Sequence, residues 1–192
     1  DEDLFILFSN DNNWNSLNEF YDLFVDKNVL FLRDTNCHWY INGIPGCSSN
    51  IIETIDFLKE KIKEFECTNI TTVGYREGGY AAILYGHYIK ANKIIVFDPI
   101  TYLDNKTRKS KNDTRWDNDE YLKEFNKSNI KQLNLKKLGI SKCNKEIKVI
   151  YSNNSLDKSH YNNLKRNKNF NVTGIKINTK DNDLCKYLER NK

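Results

Sequence analysis

The feature that most constrains this chain is an alternation. Short runs rich in aliphatic, β-branched and aromatic residues fall at 4–9, 29–33, 70–75, 93–97, 146–151 and 171–177 and read as strands. Between them lie longer segments with apolar residues at helical spacing. Ser48 or Ser49 is placed to cap a helix running to about residue 65, whose Ile51, Ile52, Ile55, Leu58 and Ile62 would form one apolar stripe. Further helices are expected over 77–89, 159–166 and 183–190. Parallel strands need crossover connections of this length, so the pattern predicts an α/β fold. We expect a mainly parallel sheet of about six strands with helices on both faces. At 192 residues the chain suits one domain, 1–192.

The alternation breaks after Asp98-Pro99. Residues 101–143 are polar, basic and helix-prone, and are expected to form an inserted helical cap, with a cationic cluster at Lys106, Arg108, Lys109, Lys111 and Arg115. Those cations are interspersed with Asn, Asp, Ser and Thr, and a solvated surface is the expected reading of them. The whole-chain surplus is only +4, too small to favour a nucleic-acid partner. No apolar run approaches the roughly 18–20 residues that a membrane span needs, and a cytoplasmic location is expected. Five cysteines (Cys37, Cys47, Cys67, Cys143, Cys185) show neither paired spacing nor a nearby metal-binding pattern, so mostly buried thiols are expected, with no metal and no cofactor. Six N-x-[ST] matches, beginning at Asn69 and Asn105, are discounted because asparagine is so abundant that they arise by chance.

One motif is sharp. In the stretch Thr72-Val-Gly-Tyr-Arg-Glu-Gly-Gly-Tyr-Ala-Ala, Gly74 and Gly78 bracket Arg76 between a predicted strand and a predicted helix. Glycines at that spacing remove the Cβ atoms that would collide where a strand turns sharply into a helix, and the central residue takes a strained backbone conformation.

With that stretch the chain resembles the α/β-hydrolase superfamily, in particular small bacterial domains whose elbow reads G-x-S-x-G-G-Y-A-A. The order of the other segments agrees: FILFSN, then FLRD with Trp39-Tyr40 and Gly43, the elbow, IIVFDP, and YSNNSLD. Such domains often accompany polysaccharide or glycosyltransferase functions. The resemblance puts the catalytic serine at Arg76, the acid at Asp157 and the histidine at Asn182. Two of the three triad members are then absent. A guanidinium is no nucleophile, and an amide cannot take a proton from a serine hydroxyl, so acyl transfer by this triad is excluded. The resemblance therefore implies a pseudoenzyme acting as a binding or interaction module, in a setting such as bacterial polysaccharide assembly. The alternative is an active esterase, acyl hydrolase or acyltransferase with a non-standard nucleophile. Ser9, Cys37, Cys47 and Ser155 are the candidates, with His38 or His160 as base; His87 reads as packed.

An arginine beside a helix N-terminus is unfavourable by about 0.3–1 kcal/mol unless something negative compensates. Glu77, Asp34, Asp98 and Asp157 could supply an internal bidentate pair. If instead a ligand supplies the charge, Arg76 with the helix N–H groups makes an anion site for phosphate, sulfate or carboxylate. The expected ligand-binding residues are Arg76, Glu77, Ser9, Asn10, Asp34 and Asp157. The expected partners are an anionic small molecule or glycan, or another protein. Trp14, Trp39 and Tyr40, near strand ends, could line a sugar-sized cleft.

Overall fold

The computed structural model describes residues 2–9, 24–128, 130–139 and 146–177. The expected residues Asn10, Trp14, Cys143, Asn182 and Cys185 and the expected helix at 183–190 lie outside them. Six strands are present: β1 (Asp3–Phe8), β2 (Asn28–Leu32), β3 (Asn69–Tyr75), β4 (Lys93–Phe97), β5 (Glu146–Tyr151) and β6 (Asn171–Lys176). All adjacent pairs are parallel, in the order β2-β1-β3-β4-β5-β6. Helices α1 (Ile51–Glu64), α2 (Glu77–Tyr88), α3 (Asn105–Ser110), α4 (Glu120–Lys127) and α5 (Ser155–Lys165) connect them. The sheet of about six strands expected from the alternation is therefore formed, fully parallel. Of the described helices, α3 and α4 lie between β4 and β5.

Side chains along each strand point alternately to the two faces, and the core divides accordingly. Leu4, Ile6, Phe8, Ile94, Val96, Ile147 and Val149 join a large buried cluster with α2, Leu58 of α1, Leu122 and Phe125 of α4, and Leu164 of α5. Leu7, Val73, Ile95, Phe97 and Ile150 form a second cluster on the opposite face, backed by Phe5, Phe24 and Tyr75. Helix α2 is apolar on every side because it is buried on every side: Gly78 through His87 are all inaccessible.

Two boundaries differ from expectation, both through capping. Asn50 caps α1, its Oδ1 accepting the Glu53 N–H at 2.9 Å; Ser49 instead donates its hydroxyl to the Glu53 carboxylate, and Ser48 Oγ accepts the Ile44 N–H. Within α1, Ile51, Ile55, Leu58 and Ile62 do face the core, but Ile52 is 72% exposed, one position off the stripe. Helix α5 begins four residues earlier than expected because Asn154 caps it, Oδ1 taking the Leu156 N–H at 2.8 Å. Asp157 thus sits in the first turn of a helix rather than in a loop. The thiols also differ: of the three described, Cys67 is buried, but Cys37 and Cys47 are exposed in the loop after β2.

The register fixes the site. Phe8 pairs with Leu32 and with Gly74, and Tyr75, Phe97 and Ile150 lie in one row. The strands therefore end level, and the next residues, Ser9, Arg33, Arg76, Asp98 and Ser152, gather along one carboxyl edge. Because β1 is followed by β2 on one side and has β3 on the other, the chain direction reverses there, which is where open α/β sheets form a crevice.

Candidate functional site

Arg76 occupies the turn between β3 and α2 with φ 49° and ψ −110°, outside the regions open to ordinary L-residues. Neighbouring backbones enforce this. A Cβ on Gly74 would stand 2.1 Å from the Gly78 carbonyl oxygen, and one on Gly78 would stand 2.1 Å from that of Phe8. The Arg76 N–H continues the sheet by donating to Phe97 O at 3.0 Å, while its carbonyl accepts from Tyr80 N and Ile100 N. The glycine spacing thus does what its sequence implied: β1, β3 and the start of α2 touch through backbone alone.

The guanidinium pairs with none of Glu77, Asp34, Asp98 and Asp157, the internal compensation that the sequence offers as one of two alternatives. Its Nε donates to the Tyr75 hydroxyl at 2.8 Å, and its carbon lies 5.3 Å from the centre of that ring. Among the described residues no carboxylate forms an ion pair with it. Three of the expected partners have other bonds. Asp34 accepts the Tyr40 N–H at 2.8 Å and the Asn36 N–H at 3.2 Å. Asp98 accepts the Ser152 N–H at 2.7 Å. Asp157 accepts the Ser152 hydroxyl at 2.5 Å and has Arg115 at 3.9 Å. These carboxylates still shape the field. Burial opposes the Arg76 charge, but the Tyr75 hydroxyl, then Asp157 and Glu77, outweigh it and hold the guanidinium pKa above its ordinary value. Burial raises the Asp98 pKa, with Asp157 adding to it and the Ser152 N–H and Arg76 opposing.

A second group of charges lies next to Asp157. Asp113 receives two bonds from Arg115, Nε to Oδ1 and Nη2 to Oδ2, each 2.8 Å. His160, fully buried on α5, has its Nε2 3.5 Å from Asp113 Oδ2 and 2.7 Å from Arg115 Nη2. Its Nδ1 accepts the Thr101 N–H at 3.0 Å, and Tyr102 stacks on the ring at 3.9 Å. Burial, assisted by Arg115, lowers the His160 pKa against the pull of Asp113 and Asp157. Burial opposes the Asp113 charge too, but Arg115 and His160 outweigh it and hold that carboxyl well below its ordinary range.

The loop after β2 closes the other side. Cys37, Trp39 and Tyr40 all have positive φ, and Asp34 bridges that loop's backbone. Trp39 donates its indole N–H to Asp119 at 3.0 Å and meets Trp116 edge-on at 5.0 Å. Asp119 also caps α4. A cavity of about 200 Å³ is left between this loop, Glu77 at the elbow, and Trp116 and Asp119 of the segment after β4. Trp39 and Tyr40 line it, yet both are almost wholly buried and act chiefly as its wall.

No described serine or cysteine meets a histidine. The His38 ring contacts Asn42 and Tyr121; His87, in the last turn of the elbow helix, packs on Tyr88 and Phe170. His160 meets a hydroxyl, that of Thr101, but both residues are fully buried and Thr101 donates to the His160 carbonyl. Ser9 is buried beside the elbow, with no hydrogen-bond partner for its Oγ among the described residues. Tyr75, Asp113 and Ser152 went unnoticed in the sequence. Tyr75 is adjacent to Arg76, and neighbours on a strand point apart; only the unusual turn at Arg76 brings the two side chains together.

The architecture now permits comparison with solved proteins. The chain has an α/β-hydrolase-like fold. It is similar to the capsule O-acetyltransferase of Neisseria meningitidis serogroup A, at 19% identity and a TM-score of 0.65 over 98% of this chain and 85% of that one. It is also similar to a chain of the glycosylation-associated Gap123 complex of Streptococcus agalactiae, at 15% identity and a TM-score of 0.61. That match covers 98% of this chain but only 40% of the streptococcal one. A fluorophosphonate-binding serine hydrolase of Staphylococcus aureus, FphF, matches at 11% identity and a TM-score of 0.58, covering 98% of this chain and 82% of that one. At these identities the likeness concerns the fold. No protein-family model matches the chain, and no curated protein matches it in sequence. Among the described residues, no helix is long and apolar enough to cross a membrane.

Proposed function

We propose that this chain is a pseudoenzyme: a hydrolase-like scaffold that binds a ligand or partner at the elbow without performing acyl transfer. The observation that carries the reading is Arg76, a permanent cation in the elbow's strained conformation, where a nucleophile would stand in an active relative. The segment after β4, which we take as an inserted cap over 101–143, forms part of the wall above it. Arg76 gives only its Nε to Tyr75, and it has no carboxylate pair among the described residues, so an incoming anion can use the remaining guanidinium donors. Asp98, Asp157 and Glu77 nearby disfavour a dianion, which makes a monoanionic carboxylate the best fit. An acidic glycan carries such a group. Two of the similar folds belong, by name, to a capsule acetyltransferase and a glycosylation-associated complex, and this supports placing the module in bacterial polysaccharide or glycoprotein assembly, with a protein partner.

The test combines labelling and binding. The wild-type chain is expected to resist an active-site-directed fluorophosphonate, and its melting temperature is expected to rise with glucuronate or acetate but not in Arg76→Ser. Covalent labelling abolished by a single Ser or Cys substitution would establish the active-hydrolase alternative instead. A carboxylate response unchanged in Arg76→Ser would remove the elbow as its site.

A further inference from the structure

The basic stretch after β4 is not wholly a solvated surface. Arg108 projects from α3 and is only 4% exposed, an unusual position for a guanidinium. Its Nη2 is bonded to Asp117 at 2.5 Å, but its Nε has no hydrogen-bond partner among the described residues. A buried guanidinium with an unsatisfied donor is costly unless an acceptor arrives. Arg108 forms part of the wall of a cavity of about 430 Å³ between α3, the 112–117 turn and α4. Lys109 and Lys123 stand on the same wall, exposed, and Asn105 and Asn112 add side-chain amides.

The charges around the cavity favour an anion. Its two aspartates are engaged, Asp117 by Arg108 and Asp113 by Arg115 and His160, whereas Lys109 has no ion pair among the described residues. Lys123 pairs only with Glu120, which is 81% exposed, a contact that solvent largely screens. A planar guanidinium, two flexible ammonium groups and two amides provide more donors than a carboxylate can accept, and they suit a tetrahedral oxyanion with several acceptor oxygens. We infer that this cavity is a second binding site, distinct from the elbow, for a phosphate group, whether inorganic phosphate or the phosphate of a small organic ester.

The experiment is titration of the intact chain with inorganic phosphate and, separately, with AMP as a phosphate monoester, followed by calorimetry and 31P NMR. Sodium chloride at matched ionic strength is the control. Saturable binding is expected, and loss of one charge-assisted contact should weaken it about tenfold or more. Because Arg108→Met removes a buried residue, the decisive variant is Lys109→Gln combined with Lys123→Gln, both at exposed positions. Arg76→Ser should leave phosphate affinity unchanged, which separates this site from the elbow. Tighter binding of AMP would assign the phosphate of an ester, weaker binding of AMP would assign inorganic phosphate, and equal binding would assign the phosphate group alone as what the site reads. Non-saturable binding, or affinity unaltered by the double lysine substitution, would overturn the inference.

Discussion

Replacing Gly78 by alanine tests whether the elbow is built as described. An added Cβ would stand 2.1 Å from the Phe8 carbonyl oxygen, where ordinary contact begins at 3.4 Å, so backbone on one side or the other must yield by about 1.3 Å. Neither side yields easily, because Phe8 lies in β1, paired to both β2 and β3, and Gly78 lies in the first turn of α2. Overpacking of this kind costs about 1–3 kcal/mol, and backbone on both sides places it near the upper end. Alanine's better helix propensity offsets about 1 kcal/mol, leaving a loss of roughly 2 kcal/mol or more. For a domain of this size that corresponds to a fall in melting temperature of roughly 4–8 °C. Gly46→Ala is the control. Nothing lies within 4 Å of its Cβ position, but its φ of +79° strains any side chain. That cost of about 1–2 kcal/mol is partly offset by reduced freedom of the unfolded chain, and the net is about 1 kcal/mol or less. Urea unfolding followed by circular dichroism and tryptophan fluorescence measures both variants. If Gly78→Ala costs no more than Gly46→Ala, the close approach of α2 to β1 is wrong, and with it the placement of Arg76.

Two further outcomes follow from the charges. His160 and Asp113 both have lowered pKa values in the folded chain, so each contributes stability that is complete above its unfolded value and is lost as pH falls toward its folded one. For His160 that loss begins near pH 6.5, and for Asp113 below about 3.8. Urea unfolding between pH 7.5 and 5 should show wild-type stability declining on the acid side, with a flatter profile in His160→Gln; equal slopes would disprove the role given to that ring. Asp119→Ala removes both the cap of α4 and the acceptor of the Trp39 indole. A loss of about 2–4 kcal/mol is expected, with a shift in tryptophan emission, while Asp119→Asn should lose less; identical losses would mean that the charge rather than the acceptor geometry matters.

The fold was legible because each level of pattern agreed. Strand 93–97 is apolar on both faces after Lys93, and in the sheet both faces are packed, so the run coincides with β4. In 146–151, Ile147 and Val149 fill one face while Glu146 and Lys148 share the other with buried Ile150, and the alternation itself marks β5. Helix starts were less legible, since Ser48, Ser49 and Asn50 are all competent caps, and the choice depends on which side chain reaches Glu53. The site was legible only as far as backbone geometry dictates it. The two glycines announce the elbow, and hence the position of Arg76. Which carboxylate would meet it was not encoded locally. Asp34 is satisfied by the N–H groups of its own loop, and Asp157 is drawn to Ser152 by the early start of α5. The Asp113, Arg115 and His160 group joins residues up to 47 positions apart, and in the sequence two of them look like part of a solvated charge run.

The energetics of Arg76 bear directly on the proposed anion site. Its backbone conformation costs about 1–3 kcal/mol and its charge beside the start of α2 about 0.3–1 kcal/mol more. Against this the structure sets one hydrogen bond from a half-buried, charged guanidinium to Tyr75, worth about 1.5–3 kcal/mol, and the longer-range attraction of Asp157 and Glu77. The internal contacts do not clearly exceed the cost, whereas a glycine at 76 would avoid both the strain and the charge. On the proposed reading, Arg76, at the crevice beyond the ends of β1 and β3, gains its full compensation only when something negative enters. The measurable consequence is that Arg76→Gly should leave the chain no less stable, within about 1 kcal/mol, while abolishing its response to carboxylates. A large loss of stability in that variant would mean that Arg76 is structural after all.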